Sequence, residues 1–358
     1  MEIGIVGLPG SGKTTVFNAL ARARVQVGTF SGAQSAPNRA VVKVPDRRVD
    51  VLAEMFHPKS IRPAEVQFVD VAGLAKGAGL ESEAAVLGHL RTVDAFLVVI
   101  AAFDASADAE SAIGDLASLE GTFILADLDV VDRRVERLER EVRMARGADL
   151  ERQTKARELE LLVRLRAALN EERPVRSVTL SEDDRMALRG FGLLSEKPLM
   201  AVLNVGDDQT GREALLEAAR QRRPDVDWLA VPGRLEMELA ELDPEEAAEF
   251  MRAMGVDELA SGPVIQAAYR ILDRISFLTA GPDEVRAWTI RRGATALDAA
   301  AAIHTDLARG FIRAEVVTYD DLVEAGSFAE ARRRGRLRSE GRAYVVQDGD
   351  VINILFNV

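Results

Sequence analysis

The sequence predicts an α/β protein with more than one structural unit, and three observations lead there. A β-branched apolar run, Glu2-Ile3-Gly4-Ile5-Val6, passes directly into the glycine-rich stretch Gly7-Leu8-Pro9-Gly10-Ser11-Gly12-Lys13-Thr14 and then into the helix-like Thr15-Val16-Phe17-Asn18-Ala19-Leu20. Further on, Leu128, Val131, Val135, Leu138 and Val142 recur at helical spacing, and Ala156, Leu159, Leu162, Leu165 and Leu169 repeat the pattern after a reversal at 147–149. That is a helical hairpin of coiled-coil character. From residue 276 the pattern changes to short alternating runs around one Ala-rich helix, which reads as a small mixed sheet.

The first fifteen residues carry the clearest chemistry. A strand, a G-x-x-x-x-G-K-[ST] loop and a helix in that order form a phosphate cradle. Gly7, Gly10 and Gly12 let the loop turn tightly and bring its N–H groups against phosphate oxygens. The start of the following helix, from Thr15, adds unpaired donors and the positive end of its dipole. Pro9 and Ser11 lie inside the same cradle. Lys13 supplies a mobile cation for the β- and γ-phosphates, and the Thr14 hydroxyl is suited to ligate Mg²⁺.

Composition narrows the remaining classes. At 358 residues the chain is long for one core, and 47% hydrophobic with 29% charged residues is typical of a soluble globular protein. Glu2 is acidic and the apolar start is short, so no secretory leader is expected. The apolar run at 95–103 is about half a membrane span and reads as a buried strand. With no cysteine, disulfides and thiolate metal sites are excluded. A cytoplasmic monomer without membrane contact is expected. The net charge of −12 argues against a surface that coats nucleic acid, so RNA contact would be local. The cluster Arg332-Arg333-Arg334, Arg336, Arg338 and Arg342 is the candidate.

In chain order, 26–39 reads as a loop placed where a nucleotide switch would sit, followed by strands at 40–44 and 65–69. The second strand delivers Asp70-Val71-Ala72-Gly73-Leu74. In this D-x-x-G, Asp70 is suited to hold Mg²⁺ through water, and Gly73 lets its N–H approach a γ-phosphate. A strand at 198–203 delivers Asn204-Val205-Gly206-Asp207, an Asn and a carboxylate three apart at a base-reading position. A last strand and loop, 228–233, ends in Pro232-Gly233, and helices are expected at 236–254 and 264–275. In the C-terminal part, 284–290 is a strand and 296–303 a helix, while 344–346 and 351–358 are strands joined by a turn at 347–350.

These motifs together resemble the YchF-type Obg-like ATPases. The resemblance rests on Gly7–Thr14, Val44-Pro45-Asp46-Arg47, Asp70–Leu74, Leu125-Ala126-Asp127-Leu128 and a specific C-terminal block. The block includes Phe277-Leu278-Thr279-Ala280-Gly281, the stretches 284–290 and 309–316, Ile303-His304-Thr305-Asp306, and Gln347-Asp348-Gly349-Asp350-Val351. It implies an Obg-type G domain over 1–275, with a helical hairpin inserted at 127–172, and a TGS domain of β-grasp type over 276–358. It also implies ATP hydrolysis with Mg²⁺ coupled to contacts with the ribosome, on the large subunit. Hydrolysis is expected to be slow, since no side chain in the sequence is an evident water-positioning group. By this resemblance Lys13, Asp70 and Gly73 are the catalytic candidates, and Thr14 and Asp70 hold the metal.

Four departures from the family pattern stand out. Ser35 is the only hydroxyl near Pro37-Asn38, where the family's switch carries a Thr. The loop after Gly73 is shorter, and the histidine expected after the strand ending near Phe103 is absent. Asp207 replaces the family's Glu. A carboxylate accepts the N1–H and amino group of guanine but opposes the bare N1 of adenine. Val205 nevertheless replaces the Lys that flanks guanine in GTPases, so ATP is the expected substrate, with GTP, or a hydrolysis-impaired ribosome or RNA adaptor, as the alternatives.

Overall fold

A computed structural model describes residues 1–22, 37–71, 80–104, 106–144, 149–207, 211–254 and 258–357. Its strands are β1 (Glu2–Val6), β2 (Asn38–Lys43), β3 (Ser60–Arg62), β4 (Glu65–Asp70), β5 (Ala95–Ala102), β6 (Leu199–Val205), β7 (Asp227–Val231), β8 (Arg274–Ala280), β9 (Glu284–Arg291), β10 (Phe311–Thr318), β11 (Arg338–Glu340) and β12 (Asp350–Phe356). They form two sheets, and the chain divides into two compact units, Met1–Ala40 with Gln67–Val264, and Val41–Val66 with Ile265–Val358.

The first sheet has the order β2-β4-β1-β5-β6-β7, with β4, β1, β5, β6 and β7 parallel. Parallel strands are covered on both faces, which is why β5 and β6 are continuous apolar runs rather than alternating ones. Because β1 lies between β4 and β5, consecutive connections leave it in opposite directions. The crevice beyond its C-terminal end is where such sheets hold ligands. Register does the rest: Ile5 pairs with Asp70, and Asn204 pairs with both Ala101 and Val231. Residues far apart in sequence therefore reach the same end of the sheet.

The hairpin is formed by helices Ala109–Met144 and Asp149–Asn170. Val131, Val135 and Leu138 pack with Leu162, Leu165 and Leu169, all buried, as the spacing predicts. The first helix begins well before residue 128, however. Ala112, Leu116, Leu119 and Phe123 continue its stripe and pack on the sheet core, so one helix serves both the sheet and the arm. At the arm's base, Asp127 is fully buried and accepts the N–H groups of Leu194 and Ser195. Arg91 donates to the carbonyls of Gly192 and Ala126, and the Lys197 ammonium donates to Leu90 at 2.9 Å, Arg91 at 2.7 Å and Val93. Those carbonyls close the C-terminal end of the helix Leu80–Thr92, where a cation is favoured.

The second sheet has the order β11-β10-β12-β8-β9-β3. β8 and β9 are an antiparallel pair, β12 lies parallel to β8, and β10 pairs antiparallel with β12. The helix Ala296–Ile303 begins at Thr295, whose side chain and that of Asp298 satisfy each other's backbone N–H, and it buries Ala296, Ala299 and Ala300 against the sheet. This mixed sheet, with the helix Ala296–Ile303 packed across it, is of the TGS-like type. One expectation fails: 344–346 is not a strand paired with 351–358. Val345 makes only an isolated bridge to Thr295, and β12 pairs with β10 and β8 instead. Asp350 explains it, because its carboxylate accepts from Gln347 N and Tyr344 Oη and closes the chain into a loop before β12.

Candidate nucleotide site

The loop after β1 is held from behind by close packing. A Cβ at Gly7 would lie 2.3 Å from the Val99 carbonyl, and one at Gly12 would lie 2.2 Å from Asn204 Nδ2. Gly10 and Gly12 have φ of 81° and 84°, which other residues adopt only under strain. Ser11 is buried, its N–H donating to the Leu8 carbonyl, while Pro9 is exposed. The helix Lys13–Ala21 opens with no side-chain cap, so its first N–H groups remain available to an anion.

Lys13 Nζ donates to the carbonyls of Gly7 at 3.2 Å and Leu8 at 3.3 Å, which keeps the ammonium over the loop. Thr14 Oγ1 donates to Asp70 Oδ2 at 3.0 Å. Burial pushes the Asp70 carboxyl above its ordinary value, opposed by hydrogen bonds from Thr14 and Asn38 and by the charge of Lys13. Burial also lowers the Lys13 ammonium, opposed by Asp70. A hydroxyl and a carboxylate oxygen beside a phosphate loop are the hard donors Mg²⁺ takes, with phosphate oxygens and waters completing its shell. The residues fit that ion.

The base-side candidates meet through Asn204. Its Nδ2 donates to the Ser11 carbonyl at 3.0 Å, and its Oδ1 accepts the Gly233 N–H at 3.2 Å. One buried amide thus joins the phosphate loop to the turn after β7, and Pro232 sits immediately before that turn as the helix Gly233–Glu241 begins. Val205 is 5% exposed and packs in the core beneath the sheet, while Asp207 is exposed. A cavity of about 750 Å³ is lined by Gly10, Gly12, Lys13, Thr14 and Thr15 on one side and by Asn204, Val205 and Asp207 on the other.

Sequence reasoning overlooks three further lining residues, Phe103, Arg234 and Met237. Phe103 had a signal, since it ends the long apolar run of β5, and it stands 45% exposed. Arg234 pairs with Glu238 at 3.0 Å one helical turn on. Gly73, Leu74 and Ser35 lie outside the described residues. The arginine cluster is largely spoken for: Arg332 pairs with Glu315, Arg333 with Glu330, Arg334 with Glu330 and Glu324, Arg336 with Asp321, and Arg338 with Glu340. Arg342 donates to the Phe311 carbonyl.

A parallel sheet with a lysine-bearing glycine loop after its central strand, and a Thr–Asp pair beside it, defines a P-loop nucleoside triphosphate-binding protein. Residues 2–127 match the family model MMR_HSR1, described as 50S ribosome-binding GTPase, and 274–357 match YchF-GTPase_C, described as a protein of unknown function (DUF933). The chain belongs to the YchF family of Obg-like ATPases. It is 38% identical to the Ribosome-binding ATPase YchF of Haemophilus ducreyi, over 100% of this chain and 99% of the relative, and 37% identical to that of Bacillus subtilis, over 100% of both. The solved structure of the Schizosaccharomyces pombe YchF GTPase superposes with a TM-score of 0.83 at 29% identity, covering 99% of this chain and 97% of that one.

Proposed function

We propose that the protein binds a purine nucleoside triphosphate with Mg²⁺, hydrolyses it slowly and acts as a switch on ribosomes in the cytoplasm, as a monomer. The observation that carries this reading is the meeting of Lys13, Thr14 and Asp70 at one end of the sheet, with Thr14 Oγ1 on Asp70 Oδ2 at 3.0 Å. ATP is the first substrate, in keeping with the relatives named ATPases, and GTP is the alternative on account of Asp207.

Phosphoryl transfer asks the protein mainly for positioning and charge neutralisation. Lys13 neutralises charge on the β- and γ-phosphates, and the loop amides from Gly10 to Thr14 fix the phosphate chain. Thr14 and Asp70 would hold Mg²⁺, which would supply charge to polarise the phosphate oxygens. Gly73 would add its N–H at the γ-phosphate. The candidate residues include no side chain that orients the attacking water. Intrinsic turnover is therefore expected near the ~10⁻⁴ to 10⁻² s⁻¹ of unassisted GTPases, with the ribosome as accelerator.

The partner reading is supported by relatives named ribosome-binding, and large-subunit contact is part of it. Direct RNA contact through 332–342 is its weaker component, since the acids around those arginines already hold their guanidinium groups. Parallel titrations of ATP and GTP with Mg²⁺, with and without ribosomes, test the whole reading. Single-turnover hydrolysis above about 1 s⁻¹ without a partner would contradict the slow, assisted switch.

A further inference from the structure

The helix Pro244–Met254 carries an apolar stripe at i, i+3, i+4 and i+7, formed by Ala247, Phe250, Met251 and Met254. Only one edge of that stripe is covered. Ala247 and Met251 are half-buried, whereas Phe250 and Met254 are each 45% exposed and Leu242, just before the helix, is 40% exposed. Single exposed apolar residues need no explanation, but a Phe and a Met one turn apart on the same face form a continuous apolar surface.

The rim of this surface has one sign. Glu246 and Glu249 are exposed beside it, and among the described residues neither has a cationic partner, whereas Glu245 falls on the opposite face, near Arg252. Asp243 is used locally, accepting the N–H groups of Glu245 and Glu246. The first-turn acids also suit the helix dipole, but Glu249 lies beyond that turn and gains nothing from it. Glu246 and Glu249 fall on the Phe250 side of the helix, and the single cation, Arg252, falls on the other.

We infer that this face docks a protein segment that is apolar along its ridge and rich in Lys or Arg along its edges. The charge selects that occupant. A nucleic acid or an anionic membrane would bring phosphates against the two carboxylates of Glu246 and Glu249, and a second copy of this face would bring another acidic rim. A basic amphipathic segment instead fills the apolar strip and pairs with the glutamates. The inference rests on the ribosome reading above and specifies it: this face meets a basic protein of the ribosome, not its RNA.

The test uses the full chain with a photoreactive benzophenone amino acid in place of Phe250, purified ribosomes and ATP with Mg²⁺. The expected product is a cross-link to a Lys- and Arg-rich segment of a ribosomal protein, identified by mass spectrometry. Cross-links to ribosomal RNA, to a second copy or within the chain overturn the inference. So does the absence of any cross-link while the protein still pellets with ribosomes. Wild-type protein that does not pellet at all overturns the ribosome reading itself, which separates the two failures. Phe250→Asp with Met254→Asp should raise the ribosome Kd about tenfold or more, from the lost apolar burial. Glu246→Lys with Glu249→Lys, a surface change that spares the helix stripe, should also weaken binding. ATP affinity should stay constant in both variants, and unchanged ribosome affinity in either would refute the docking face.

Discussion

The carboxylate of Asp127 sits across two consecutive backbone N–H groups, 2.8 Å from that of Leu194 and 2.7 Å from that of Ser195, with no exposure to solvent. Both oxygens are engaged at once, so the side chain closes the segment before β6 onto the arm helix. Burial raises this carboxyl and the two N–H donors oppose that rise. Asp127→Asn keeps the shape but offers one acceptor and turns an amide N–H toward a donor. It should cost about 1–3 kcal/mol in urea unfolding, the penalty of an unsatisfied buried donor. Nucleotide affinity should be unaffected.

Lys13→Ala removes the side-chain cation that is held over the phosphate loop by the Gly7 and Leu8 carbonyls. Triphosphate affinity should fall by about 1.5–3 kcal/mol, the range of a hydrogen bond to a charged group. Calorimetric titration reads it directly, and an unchanged affinity would count against the cradle.

Asn204→Ala should weaken ATP and GTP to a similar degree. Its amide is already committed to Ser11 and Gly233, so its loss loosens the loop rather than a base contact. The loss should be about 1–3 kcal/mol. A change confined to one purine would instead make Asn204 a base reader.

Gly10 and Gly12 should separate when each is changed to Ala. Both pay backbone strain, of order 1–3 kcal/mol, but a Cβ at Gly10 meets nothing within 4 Å. A Cβ at Gly12 meets Asn204 Nδ2 at 2.2 Å and must displace it. Nucleotide binding should survive, weakened, in Gly10→Ala and be lost in Gly12→Ala.

Lys197 gives a pH dependence. Burial outweighs the helix-end carbonyls and the nearby Asp94 and Asp127, which favour the cation, and lowers its ammonium to about 8, against an ordinary 10.5. The unfolded chain therefore holds this proton where the folded chain has released it, between about 8 and 10.5. Stability contributed by this group rises with pH across that window and is lowest below it. Lys197→Met abolishes the rise, so wild-type stability minus that of the variant, from urea midpoints, should grow between pH 7.5 and 10. A flat difference would refute the lowered value.

The phosphate loop is legible in the sequence because its residues are neighbours, and the β1 run and the helix after Thr15 fix its context. Asp70 is legible for the same reason, at the end of an apolar strand. The Asn204 clamp is not, since Ser11 and Gly233 reach it only through the pairing of β1, β5, β6 and β7. Arg234 and Met237 escape notice because they lie outside the Leu235–Leu239 stripe that the helix Gly233–Glu241 buries, and neither belongs to a sequence motif. The early start of the arm helix was readable, as Ala112, Leu116, Leu119 and Phe123 keep helical spacing. The Asp-Gly step at 348–349 marks a turn correctly but not its partners, because Asp350 and the register of β12 choose β10 and β8.

Arg91 and, through the segment at 192–197, Lys197 give the base of the coiled arm a fixed footing on the helix Leu80–Thr92, the next described helix after the strand that ends at Asp70. Helix end and arm base must therefore tilt as one body. The second arm helix, Asp149–Asn170, has 22 residues and extends about 33 Å, so a tilt of about 10° at the base displaces the tip by about 6 Å. A shift too small to break any hydrogen bond at the footing becomes a displacement at the far end that a bound macromolecule would register.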